Sequence, residues 1–136
     1  MNKQLLLLTA LFSSMAIVMV SCDDDDTPED LSPVVTIAEP TAGDSFNSGD
    51  TLHIEWNATA GAGHDLHESL VLLMNLADST LAFSDTPYVH ELTTFDYHEH
   101  VVLPTVSAAN QFKLTVTVSD HDGLEAMKEV SFQVNP

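Results

Sequence analysis

The chain has 136 residues, with 21 Asp and Glu against three Lys and Arg, and a formal net charge of −18. That balance argues against nucleic acid as a partner, because phosphates are bound through basic side chains. It argues equally against the domain itself docking on an anionic bilayer, and it is compatible with bound cations.

The first 21 residues read as a secretory signal peptide. Lys3 supplies the positive start, and Leu5 to Val20 supplies the apolar stretch. That stretch is roughly 16 residues, short of the ~20 that a membrane-spanning helix needs. Met19-Val20-Ser21-Cys22 resembles a bacterial lipobox, with Met19 standing where Leu is more usual. Cys22 is the only cysteine, so no intrachain disulfide can form. The expectation is a lipoprotein, cleaved before Cys22 and held in the bilayer of the outer membrane by several acyl chains. One chain alone binds only marginally. Losing Lys3 with the signal lowers the formal charge from −18 to about −19 and leaves Lys113 and Lys128 as the only Lys or Arg.

Residues 22–32 carry four consecutive Asp, then Pro28, Glu29 and Asp30. Such a tether is too charged to pack and is expected to stay extended in solvent. It reads as a plain spacer or, directly after a lipidated cysteine, as a run resembling the surface-export signal of Bacteroidota lipoproteins. The cell surface and the periplasmic face therefore both stand as locations.

From Ser32 onward the pattern is that of strands. Val35 and Ile37 alternate with Thr36 and stop at Pro40. Gly43-Asp44 and Ser48-Gly49-Asp50 are turn clusters. Leu52, Ile54 and Trp56 alternate with His53, Glu55 and Asn57, as in a half-buried strand. After the Gly61-Ala62-Gly63 loop, Leu66, Leu70, Leu72, Met74 and Leu76 share one parity. This predicts a third strand with those residues on one face and His67, Val71 and Leu73 on the other. A helix over 66–76 competes, because Leu and Met favour helices. Leu81 and Phe83 mark a fourth strand, and Tyr88 to Leu92 suggests a short edge strand. His98 to Leu103 reads as the next strand, ending at Pro104. Phe112, Leu114, Val116 and Val118 alternate with polar residues, Asp122-Gly123 is a turn, and Val130, Phe132 and Val134 close the chain. About seven short strands over residues 33–136 predict an all-β fold: an Ig-like seven-stranded antiparallel β-sandwich, one domain of ordinary size.

Pro33-Val34-Val35-Thr36-Ile37, Gly49 to Trp56 and Phe112 to Gly123 resemble the opening and closing segments of bacterial Ig-like domains. Gly63-His64-Asp65-Leu66-His67-Glu68, Tyr97-His98-Glu99-His100 and Asp120-His121-Asp122-Gly123 together resemble a family of Ig-like lipoproteins of Bacteroidota with a histidine-rich loop end. The resemblance spans most of residues 33–136. It implies the fold and the extracytoplasmic setting, and it lends no activity.

Seven histidines stand out beside so few Lys and Arg. His53 and His90 are read as ordinary surface residues. For the other five there is a geometric argument. In an Ig-like sandwich the second-to-third, fourth-to-fifth and sixth-to-seventh connections lie at one end. They would carry His64 and His67, then His98, then His121. His67 and His121 are expected as outward-facing neighbours on adjacent strands. His98 and His100, two apart on a strand, share a face at about 7 Å. Imidazoles in such a group suit zinc or copper. Asp65, Glu68, Glu99, Asp120 and Asp122 could ligate or orient them. Calcium is less expected, because histidine is a poor calcium ligand. The bland alternative is a fortuitous polar cluster, or a surface that responds to pH as its histidines protonate.

Asp120-His121-Asp122 lacks an accompanying nucleophile motif, so a non-enzymatic protein is expected. Two readings follow. One is a lipid-anchored metal-binding protein with His64, His67, His98, His100 and His121 as candidate ligands. The other is a non-catalytic adhesion or accessory module with incidental histidines. The sequence names no protein partner.

Overall fold

The computed structural model describes residues 31–136. The signal peptide, Cys22 and most of the acidic tether lie outside the described residues. Eight strands follow in order: β1 (Val34–Glu39), β2 (Ser45–Asn47), β3 (Thr51–Thr59), β4 (Leu66–Asn75), β5 (Thr80–Asp85), β6 (Thr94–Val102), β7 (Asn110–Asp120) and β8 (Glu125–Asn135). They form two sheets, β1-β3-β6 and β2-β8-β7-β4-β5. This is the expected all-β, Ig-like sandwich, with the third and sixth long strands as antiparallel neighbours. The additional strand is β2, three residues that run parallel to β8 in an otherwise antiparallel structure.

Period-two alternation builds the core. Leu52, Ile54, Trp56 and Ala58 point inward from β3, and Phe112, Leu114, Val116 and Val118 point inward from β7. Trp56 stacks on Tyr97 with ring centroids 5.3 Å apart, and Phe132 meets Phe46 edge-on at 5.3 Å. The Tyr97 hydroxyl donates to Asp85 Oδ2 at 2.7 Å. That bond ties the edge strand of one sheet to the edge strand of the other.

Two expectations are corrected. The first concerns β4, a strand as preferred over a helix, whose inward residues are Leu66 and then Ser69, Val71, Leu73 and Asn75. Leu70 is exposed, and Leu72 and Met74 are half-buried on the outer face. The cause is a β-bulge. Leu66 pairs with Asp120 but Glu68 pairs with Ser119, so β4 carries one extra residue there and its parity reverses beyond it. Alternation read from the sequence assumes an uninterrupted ladder, and one inserted residue exchanges the two faces. The second concerns Tyr88 to Leu92, which form a connection instead of an edge strand. β6 begins at Thr94, four residues before His98.

Reversed parity makes opposite demands on adjacent leucines. Leu73→Ala is expected to cost about 2–5 kcal/mol, the range for truncating a buried leucine. Leu72→Ala should cost clearly less. Urea denaturation of both variants checks this, and equal losses would contradict the assigned faces.

Tyr97 carries a signature in alkali. Its burial, followed by its hydrogen bond to Asp85, holds the phenol above its ordinary range near 10. The folded state therefore keeps a proton that the unfolded chain has released. The contribution is complete below about pH 10 and is lost as pH climbs toward the folded-state value. Stability measured from pH 9 to 11.5 should fall more steeply in the wild type than in Tyr97→Phe.

Candidate metal centre

The histidine site forms around the bulge. His67 is the second residue of β4 and faces outward by alternation from the buried Leu66, and the bulge then leaves Glu68 on the same side. His121 follows the end of β7 and lies beyond Ser119 on the same outer face. The two rings meet with centroids 4.2 Å apart. The third ring comes from the β5–β6 connection. His90 lies 5.2 Å from His67 and 4.8 Å from His121 by ring centroid. One nitrogen from each of His67, His90 and His121 falls within 4.8 Å of the others.

The connection that carries His90 is pinned on both sides of the bulge. The Leu66 amide donates to the Leu92 carbonyl at 2.8 Å, and the Glu91 amide donates to the Leu66 carbonyl at 3.0 Å. The buried Ser69 hydroxyl donates to the Pro87 carbonyl at 2.8 Å. Glu91 takes a left-handed conformation with φ 63°, uncommon for a residue with a side chain. That turn is held by the bonds to Leu66, and it sets His90 above the neighbouring strand.

Three neutral imidazoles are the ligand set of an open zinc site and also suit copper. Around a single zinc ion their nitrogens would sit ~3.3 Å apart, given bonds of about 2.0–2.1 Å. His67 Nδ1 is buried without a hydrogen-bond partner. Glu68 and Glu91 lie 3.9 and 4.0 Å from the His67 and His90 rings, and both favour a cation. Beside the rings runs a groove of about 610 Å³, floored by Leu70 and Thr117 and walled by Pro87 and Tyr88. A fourth ligand to an ion held by the three rings could enter from it.

The remaining histidines go elsewhere. His64, in the β3–β4 connection, faces Asp120 and Asp122 and does not join the three rings. His98 and His100 do share one exposed face of β6, as their spacing predicts. That face belongs to the other sheet and looks away from the site across the core. His98 lies 3.3 Å from Glu55, and His100 packs against His53 at 4.4 Å by ring centroid. Among the described residues neither belongs to a group of three close ligand atoms.

Sequence reasoning therefore passed over His90 and put His98 and His100 in its place. The rule that three connections share one end was sound. The error lay in the start of β6, which left His90 inside a supposed edge strand and His98 at a loop. No spacing motif marks His90.

No family model matches the chain, and no curated protein matches it. Solved structures do. The fibronectin(III)-like modules of Clostridium thermocellum CbhA are 24% identical, with 74% of this chain and 94% of that one covered and a TM-score of 0.45. The sporulation control protein Spo0M of Bacillus subtilis is 8% identical, with 77% and 49% covered and a TM-score of 0.49. The CARDB domain of the PF1109 protein from Pyrococcus furiosus, described in complex with di-metal ions, is 16% identical, with 79% and 94% covered and a TM-score of 0.43.

Proposed function

We propose that this chain is a lipid-anchored extracytoplasmic lipoprotein, akin to Ig-like lipoproteins of Bacteroidota, whose sandwich binds a divalent transition metal, zinc or copper, at one end. The observation that carries the metal reading is the convergence of His67, His90 and His121 from three separate segments. Their proximity is hard to attribute to local sequence, because 54 residues separate the first from the last. The anchor reading rests on Met19-Val20-Ser21-Cys22 and on the acidic run behind it. The site would serve to sequester or hand over the metal at the outer membrane, on the cell surface or the periplasmic face. A non-enzymatic role of binding and release is the one that we propose for it.

A second reading has an observation of its own. Leu70, Leu81 and Met127 are exposed on the outer face of the larger sheet, and Tyr88 is exposed beside it. Such a surface suits an adhesion or accessory module that docks a protein partner and leaves the histidines incidental.

Calorimetric titration of Zn²⁺ and Cu²⁺ into the full chain in detergent separates the two. Binding tighter than about 100 µM is expected, the ligand set being three imidazoles. His90→Ala should weaken it roughly tenfold or more, while a His98→Ala/His100→Ala variant should bind within about twofold of wild type. Loss of binding in the second variant but not the first would overturn the assignment.

The anchor is checked separately by labelling the expressed protein with radioactive palmitate. The wild type should take up the label and Cys22→Ser should not, since acylation needs the thiol. Equal labelling would remove Cys22 as the anchor.

A further inference from the structure

Asp120 is the last residue of β7, and its side chain is wholly buried. Oδ1 accepts the Asp122 and Leu124 amides at 2.9 and 2.8 Å and so shapes the turn into β8. Oδ2 does none of this. It is buried without a hydrogen-bond partner. It points instead at His64 Nδ1, 3.0 Å away but off the line of a hydrogen bond, and Asp122 Oδ2 lies 3.3 Å from the same nitrogen.

A carboxylate removed from water needs a compensating charge or hydrogen bonds. The described residues hold only two Lys and no Arg, and Lys113 is engaged at 2.8 Å with Glu129. His64 and one exposed carboxylate are thus the groups that face the buried oxygen. One nitrogen and two oxygens converge, all within 4.8 Å of one another. Separations of 3.0 and 3.3 Å are also those between neighbouring ligands on one ion at bond lengths of about 2.1 Å.

We propose that His64 Nδ1, Asp120 Oδ2 and Asp122 Oδ2 form a second divalent-cation site, distinct from the three-imidazole centre. The mixed nitrogen and oxygen set selects a transition ion of borderline hardness, such as Zn²⁺ or Mn²⁺, over calcium, which takes oxygen alone. Asp122 is exposed, so the ion enters from solvent and completes its shell with water. Consecutive residues at one strand end then serve two sites: His121 faces the outer surface, while Asp120 and Asp122 face His64. The proposal does not rest on the three-imidazole reading.

Equilibrium dialysis of the full chain in detergent against Zn²⁺ counts the ions. Two per chain are expected for the wild type, one for His64→Ala, one for His90→Ala and none for the double variant. Asp122→Asn provides a variant that spares the buried Asp120 and its turn, and it should behave as His64→Ala does. Should His90→Ala change nothing while His64→Ala still removes an ion, the three-imidazole reading falls and this one stands. Wild-type stoichiometry in both His64→Ala and Asp122→Asn would overturn the second site, as would a wild type that binds no Zn²⁺.

Discussion

One inserted residue organises the functional end of this sandwich. Where Leu66 pairs with Asp120 and Glu68 with Ser119, the β4–β7 ladder accommodates two residues opposite one. Bulges bend a strand and redirect its side chains. Here the effect is double. Beyond the bulge Val71 and Leu73 enter the core and Leu70 leaves it. At the bulge Leu66 stays buried while His67 turns out to meet His121. The same Leu66 offers its amide and carbonyl to residues 91 and 92, which would otherwise belong to a loose connection. Core packing beyond the bulge and the placing of the loop at Leu66 thus meet at one local irregularity.

That dependence explains what could be read from the sequence. Strict alternation made β3 and β7 legible, because both run without interruption and pair along their whole length. The turns at Pro40, at Gly49-Asp50 and at Asp122-Gly123 were legible through residues that favour those conformations. β4 was legible as a strand but not in its faces. Leu66, Leu70, Leu72 and Met74 fall on one parity, whereas burial switches to the other after Leu66, and nothing in Leu66-His67-Glu68-Ser69 announces an extra residue. The nearness of His67 to His121 came out as expected, because His67 alternates outward from the buried Leu66 and the parity reverses only after it. His90 was hidden because its position depends on hydrogen bonds to a strand distant in sequence.

The charge distribution gives the site its chemical bias. A domain with almost no Lys or Arg has few ways to balance a carboxylate that folding removes from water. Histidine and metal ions are what remain. Glu68 and Glu91 lie beside the His67 and His90 rings, while Asp120 and Asp122 face His64. The core between the sheets is mostly apolar, and both groups of three close ligand atoms gather where strands end and connections begin.

Gly61 settles a question of orientation. A β-carbon on it would collide with the backbone of Leu31, so the incoming chain crosses directly over the β3–β4 connection. That connection is also where His64 resides. The chain thus joins the sandwich at its histidine end. With Cys22 as the proposed point of attachment, eight residues lie between it and Leu31, a reach of at most about 30 Å. With that anchor, the histidine end would lie within this reach of the lipid headgroups. An ion released from either site would emerge into a thin, negatively charged layer, closer to whatever the membrane holds than to the open medium.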